Sequence, residues 1–375
     1  MKKLRKIFPL VIGGLIGVLG GLLSGDVLVS FIREIGVWGI ALILVSLIIF
    51  YNLHIILHEA GHLLMGKLSG YSFVSFRVYS LMIVRQNGKL VRKKFNVVGT
   101  AGQCLMSPPE MKDGTFPLVL YNFGGVLMNF LFSGLCFWLF WLLPSPWSAV
   151  FLVSMILGVF IGLTNIIPLK IGGVPNDGYN LFRLRSKKNT ATRHGLWVIL
   201  RANALLASGV RARDFPSAWF DGLDLDHLSD PMVAGIAAMK YNYLLDQGAF
   251  EEARALAQTL LDTPRLLELY KNEMRCELLF FELIFECRKA EIEGLYTKEL
   301  AAYIKATFSY ASRQRLLFAY ALLFLQDAVL AAEHLDLFQK ACAKSASLGE
   351  IPGEQELVAY VYEVADRRAD EAAAV

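Results

Sequence analysis

The chain has 375 residues, of which 55% are hydrophobic and only 19% charged, and its formal net charge is +4. A soluble globular domain is nearer a quarter charged. This composition excludes an ordinary soluble enzyme, and the small positive balance is not the footprint of a nucleic-acid partner.

The charge is unevenly spread. Ile7 to Gly25, Gly36 to Leu57 and Thr115 to Leu169 contain no Asp, Glu, Lys or Arg. A membrane span needs about 20 apolar residues, so these runs supply one, one and two helices, the last pair broken at Leu143-Pro144-Ser145-Pro146-Trp147. The basic N-terminus followed by an apolar run also fits a signal peptide. The spacing of Gly13, Gly14, Gly17, Gly20 and Gly21 instead suits close helix packing in a bilayer, and the run is read as the first span. Lys2, Lys3, Arg5 and Lys6 precede that span, Arg85, Lys89, Arg92, Lys93 and Lys94 lie between the second and third, and Arg183, Arg185, Lys187 and Lys188 follow the fourth. The positive-inside rule then places both termini and the middle loop in the cytoplasm of a multi-pass cell-membrane protein, with a bacterial source expected. Cys104, Cys136, Cys276, Cys287 and Cys342 have no CxxC spacing, so neither disulfides nor a cysteine-only zinc site is expected.

At the end of the second run comes His58-Glu59-Ala60-Gly61-His62. Histidines four apart share one helix face and can reach one metal ion, while Glu59 lies about 100° round the helix, within reach of a water but not a ligand. Zinc would lower the pKa of that water to about 7, and Glu59 would take its proton and later pass it to a leaving amine. A structural pair of satisfied core histidines is the bland alternative, but it requires three polar groups to find partners in hydrocarbon. His54, one turn back, reads as a residue supporting the site or lining a channel. From Gly36 to His58 is about 33 Å of helix against a hydrocarbon core of about 30 Å, which puts the histidines near the cytoplasmic boundary.

The following loop, residues 71–98, is rich in β-branched and aromatic residues and turns at Asn87-Gly88, so a β-hairpin is predicted. It either binds an unwound substrate as an added strand or simply packs on the spans. Cys104, further on, is a candidate for a reversible fourth ligand. No acid occurs from Thr115 to Leu169, so the nearest candidate third ligand is Asp177, after the helix-breaking Pro168, Gly172, Gly173 and Pro175. An N-cap role, starting a helix at Tyr179, is the alternative for Asp177.

His58, Glu59 and His62 on one predicted span, with Asn165, Pro168, Asp177 and Gly178 after a later one, resemble the site-2 protease family of intramembrane zinc metalloproteases. The resemblance covers about residues 36 to 182. It implies His58, His62 and Asp177 as zinc ligands, Glu59 as general base and acid, and Asn165 near the scissile carbonyl. Residues Phe123 to Phe130 are similar to the family's glycine-then-asparagine stretch, which implies Asn129 near the substrate. One departure is clear: Leu169 to Asn176 intervene where the family has a short gap before its aspartate. No PDZ-type insert is visible. A prenyl-protein-type metalloprotease would instead need a downstream glutamate, and the membrane part offers only Glu110.

From about Ser186 the sequence reads as helices. Tyr241 to Pro264 has helical spacing, a turn at Gly248 and Ala253 at a close helix contact, and Leu322 to Ala341 echoes it with Ala332 in the equivalent place. This is either a degenerate tetratricopeptide-like array or a non-repeat bundle. The last ten residues are expected to fray. The fold class expected is therefore mainly α: a polytopic membrane helix bundle of about four spans with a β-hairpin between the second and third (1–182), then a soluble α-helical domain (186–375). The function expected is a zinc endopeptidase cleaving a membrane-inserted protein or peptide near the cytoplasmic face, the helical domain engaging a protein partner. The alternative is a catalytically silent scaffold or peptide-transporter component.

Overall fold

The computed structural model describes residue 21 and residues 25–95, 100–171, 174–184, 190–223, 225–228, 230–264 and 266–373. The first predicted span lies outside these except for Gly21 and Gly25. The chain divides into two compact units, Met1–Val78 with Ala101–Asn189, and Tyr79–Thr100 with Thr190–Val375. Sequence reasoning placed the whole hairpin region with the spans, whereas residues 79–100 group with the C-terminal helices.

In the first unit, residues 25–35 are helical where a short connection was expected, and the helix ends at Gly36, whose φ of 68° turns the chain. The next helix, α1 (Val37–Leu68), carries the uncharged run and continues through both histidines. It is followed, after two strands described below, by α2 (Val119–Leu142) and α3 (Trp147–Ile166). These three are the helices among the described residues that are long and apolar enough to cross a membrane. Their outer faces expose Ile40, Leu44, Ile48, Leu131, Trp138 and Trp141, while Ser46, Asn129, Ser133 and Ser154 are buried between them. That inversion, apolar outside and small or polar inside, suits a hydrocarbon solvent.

Close approach of α1 and α2 depends on two facing glycines. A Cβ on Gly61 would overlap the Gly124 carbonyl, and one on Gly124 would overlap the Gly61 carbonyl. The backbones therefore meet one residue before His62, which brings the metal-motif face of α1 onto α2.

Strand β1 (Ser72–Val78) pairs antiparallel with β4 (Gly102–Ser107), from Ser72 opposite Ser107 to Val78 opposite Gly102, with an irregularity between Phe73 and Ser75. β4 lies along α1, and Met106 packs where a Gly66 side chain would be. Past α3, the unexpected segment before Asp177 folds on itself: Lys170–Ile171 (β5) pairs with Val174–Pro175 (β6). Asn176 closes this ribbon. Its side-chain oxygen accepts from Leu169 N (3.0 Å) and Tyr179 N (2.9 Å), and its amide donates to Thr164 O (2.8 Å) and Ile167 O (2.7 Å). Helix α4 (Asp177–Leu184) starts directly after it.

In the second unit, β2 (Leu81–Gln86) and β3 (Lys89–Lys94) form the predicted hairpin about Asn87-Gly88, both residues at positive φ. The helices are α5 (Thr190–Ser208), α6 (Pro231–Asp246), α7 (Phe250–Asp262), α8 (Glu268–Ile284), α9 (Lys289–Leu295), α10 (Lys298–Ala306), α11 (Ala311–Ala319), α12 (Ala328–Lys344) and α13 (Ile351–Ala373). The helices α6 and α7 are the predicted pair, with Gly248 at φ 76° and Ala253 fully buried. The second pair departs from its predicted register. Asp327 caps α12 by accepting from Val329 N and Leu330 N, and Ala331 is buried while Ala332 is exposed. The C-terminus does not fray in the described residues: α13 runs to Ala373, and Arg368 donates to the Leu283 and Phe285 carbonyls at the end of α8. Buried Arg313 and Arg315 pair with Glu273, Glu277 and Glu354, joining α8, α11 and α13.

Because the Gly61–Gly124 crossing has no room for a side chain, Gly61→Val should destabilise the first unit by about 1–3 kcal/mol, the usual range for overpacking. A lowered thermal midpoint in detergent, against an unchanged one for Gly134→Val on the exposed face of α2, where nothing lies within 4 Å of an added Cβ, checks this.

Candidate metal centre

His58 and His62 project from one face of α1, their rings 4.8 Å apart and nearly perpendicular. Asp177 comes to the same point from the start of α4. Its Oδ2 lies 3.0 Å from His58 Nε2 and 3.3 Å from His62 Nε2, and the two Nε2 atoms are 3.2 Å apart. Among the described residues these three form the group of His, Cys, Asp and Glu side chains able to hold a metal ion. His58 and His62 are buried and Asp177 is half-buried.

The proton positions follow from the partners of each ring. His62 Nδ1 lies 2.8 Å from the Tyr121 carbonyl, which only accepts, so Nδ1 carries the hydrogen. The Asn129 amide nitrogen donates to the His54 carbonyl (3.1 Å), which fixes that side chain's orientation and turns Oδ1 toward His58 Nδ1 (2.7 Å). His58 Nδ1 is therefore protonated as well. His54 Nε2 donates to the Ser154 carbonyl (3.0 Å), leaving its Nδ1 to accept from Asn129 (3.0 Å). In neutral imidazoles with this arrangement, both metal-facing Nε2 atoms present lone pairs. Two such lone pairs and a carboxylate oxygen facing one another within about 3.3 Å require a shared positive charge, either a metal ion or, without one, a proton on one of the two Nε2 atoms.

The spacing fits zinc. Donors about 2.0–2.1 Å from a tetrahedral ion are about 3.3 Å from one another. The wall opposite is Gly125, where a Cβ would stand 2.6 Å from both His58 Nε2 and His62 Nε2. Asp177 itself is held well below the usual carboxylate range: burial opposes this, and the facing imidazoles outweigh it.

Glu59 is buried on the side of α1 that faces β4. Its carboxylate accepts a hydrogen bond from the Cys104 backbone. Its Oε1 occupies the space beside Gly102, where a Cβ would be 2.5 Å away. Tyr121 ties the two supports together, since its carbonyl fixes His62 and its hydroxyl donates to the Cys104 carbonyl at 2.8 Å. Fully buried Arg77 reaches the Gly102 carbonyl at 3.5 Å.

The sequence-predicted residues thus divide. His58, His62 and Asp177 meet at one point, with Glu59 beside them. Asn176, not Asp177, accepts from the third amide of α4, so the cap alternative for Asp177 falls away. Asn129 sits behind His58 and between it and His54. Asn165 donates to the Ile161 carbonyl of its own helix (2.9 Å) and does not touch the cluster. Burial pushes the Cys104 thiol up to about 12, helped by the Glu59 charge, and the cysteine is not in the ligand group. Tyr121, Gly102, Gly125 and Asn176 are the functional positions that motif reading missed. For Gly125 a signal existed in the glycine pair of α2, but the carbonyl of Tyr121 leaves no trace in residue identity.

No family model, no curated protein and no solved structure matches the chain.

Outer partners of metal-bound histidines typically contribute 10–100-fold in affinity. Asn129→Leu should therefore weaken zinc binding by about that factor, read by competition with a chromophoric chelator, while Asn165→Ala should leave it unchanged.

Proposed function

We propose that this chain is an intramembrane zinc endopeptidase of the site-2 protease type, cutting a membrane-inserted protein or peptide. The single observation that supports it most is the meeting of His58 Nε2, His62 Nε2 and Asp177 Oδ2 at about the edge length of a zinc tetrahedron, with both tautomers set for metal. Asp177, 119 residues after His58 and so about a third of the chain's length away, lies where the histidines point.

His58, His62 and Asp177 would hold the ion, which when bound supplies Lewis acidity and a water acidic enough to attack near neutral pH. The residues of the chain do the rest. Glu59, held by the Cys104 amide and confined by Gly102, takes the proton of the attacking water and delivers it to the amine that leaves. Asn129 and the Tyr121 carbonyl hold the imidazoles in the metal-binding tautomer throughout. Burial of His58, Glu59 and His62 limits the access of bulk water to them.

Placement in the bilayer follows the same geometry. Trp38, at the start of α1, Trp138 and Trp141, near the end of α2, and Trp147, at the start of α3, are all exposed. Antiparallel connection puts these four indoles toward one end of the bundle, as an interfacial aromatic belt would be. His58 is twenty residues further along α1 than Trp38, about 30 Å of helix, which puts the site at the opposite boundary of the hydrocarbon. By the positive-inside pattern of the sequence that boundary is cytoplasmic. The helical unit then serves as a cytoplasmic module for a protein partner.

Two substitutions separate binding from chemistry. In nanodiscs presented with a mixture of single-span peptides and read by mass spectrometry, Glu59→Gln should retain zinc and yield no fragments. Asp177→Ala should lose both zinc and fragments. Unchanged cleavage by either variant would contradict the proposal. Because Gly102 confines the Glu59 carboxylate, Gly102→Ala should slow cleavage about a hundredfold at unchanged zinc content, the scale of a 1 Å misplacement of a catalytic group.

A further inference from the structure

In the second unit, α6, α8, α11 and the start of α13 enclose a cavity of about 210 Å³. Asp246, Glu273, Glu277, Glu350 and Glu354 line it, and Arg315 is the one basic side chain in its wall. Pockets for drug-sized ligands measure roughly 300–1,000 Å³, so this one suits a single side chain or a small molecule.

The charges around the cavity do not balance. Asp246 is matched by Arg211, whose Nη2 donates to its Oδ1 at 2.6 Å. Glu273 accepts from Arg313 and the Tyr303 hydroxyl, and Glu277 from Arg315 and the Tyr241 hydroxyl. Glu354 accepts from Arg315 Nε at 2.7 Å. Two guanidinium groups thus serve three carboxylates. The fourth, Glu350 in the turn before α13, has no hydrogen bond or ion pair to its side chain among the described residues. That side chain is accessible to solvent. Even so, desolvation by the chain packed around it, and then the charges of Glu354 and Glu273, push its pKa up to about 7. The charged groups acting on Glu350 are therefore acids like itself.

A second observation is independent of the acids. Arg315 is 1% exposed, and its guanidinium lies over the Phe280 ring, 4.0 Å from the centroid. Its Nε and Nη2 are engaged by Glu354 and Glu277, but its Nη1 has no acceptor. A buried donor without a partner is rare enough to require an explanation. Asn242 and Ser312, also in the wall, have no side-chain hydrogen bond among the described residues either.

We propose that this cavity binds an arginine, whose guanidinium pairs with Glu350 and Glu354 and whose carbonyl or carboxylate oxygen meets Arg315 Nη1. A metal ion is a poorer occupant, because these acids are not among the groups whose donor atoms lie within 4.8 Å of one another. A guanidinium spreads five N–H donors over a plane and can bond separated carboxylates, whereas an ammonium is a compact point charge. The arginine is a free amino acid or a residue of a polypeptide partner, and the two share this chemistry. The inference concerns the second unit alone and is independent of zinc and of peptide cleavage.

The test is isothermal titration of the full chain in detergent at about pH 8, where Glu350 is ionised. The probes are free arginine, Nα-acetyl-arginine amide as the residue form, and the lysine and citrulline counterparts of each. Arginine in at least one form should bind, and the tighter form identifies the source. Citrulline keeps the shape without the charge, and it and lysine should bind at least about tenfold more weakly, the scale of one charged hydrogen bond. Glu350→Gln alters a carboxylate with no partner in the chain, so the thermal midpoint should not fall while arginine binds about tenfold more weakly. Glu363→Gln, on the exposed side of α13, should leave arginine binding unchanged. No binding of either arginine form, equal binding of citrulline or lysine, or an unaltered affinity in Glu350→Gln overturns the proposal.

Discussion

Three atoms with lone pairs, held closer together than they would tolerate without a shared positive charge, are the constraint on which the rest of the first unit depends. His58 Nε2, His62 Nε2 and Asp177 Oδ2 lie 3.0–3.3 Å from one another. Each is aimed there by something outside the cluster: Asn129 behind His58, the Tyr121 carbonyl behind His62, and the Asn176 cap beside Asp177. The glycines serve the same end. Gly61 and Gly124 let α1 and α2 touch, Gly125 leaves room at the imidazoles, and Gly102 leaves room at Glu59. Gly178 does likewise for α4, since a Cβ there would overlap the Ile166 carbonyl at the end of α3. Small residues at these positions are what allow three helices, a strand and a loop to converge on one point.

The polar chain behind the site has a direction. Starting at the Ser154 carbonyl, hydrogen bonds run through His54 and Asn129 to His58, each donor facing an acceptor with no ambiguity of orientation. Such a chain satisfies polar groups that would otherwise be costly among apolar helices. It also accounts for the third histidine of α1, which is fully buried one turn from His58 and yet is not part of the His58–His62–Asp177 group. His54 orients Asn129, and Asn129 orients His58.

Much of this arrangement was legible in the residues. The helical spacing of His58 and His62 is a property of α-helix geometry, and it survives any environment. Asp177 could be picked out because the preceding fifty residues hold no other acid. What could not be read was how the segment Leu169 to Asn176 would behave. Its length suggested a displaced aspartate, but β5 and β6 pair and Asn176 draws the two ends together, so the extra residues leave the path of the chain. Backbone acceptors were equally silent: the Tyr121 carbonyl fixes a tautomer, and any residue there supplies a carbonyl. In the helical unit the period of Leu322 to Ala341 was correct, but its phase was not. Asp327 starts α12 one residue out of the assumed register, so Ala331 and not Ala332 turns inward. Periodicity identifies a face, whereas a cap decides which residue begins it.

The central claim is that the two imidazoles and the distant carboxylate hold zinc, and X-ray absorption at the zinc edge of the purified protein tests it most directly. The account predicts one zinc per chain with nitrogen and oxygen neighbours only, at about 2.0–2.1 Å. A sulfur neighbour at about 2.3 Å, which would bring Cys104 into the coordination sphere, or protein that takes up no zinc, would contradict it.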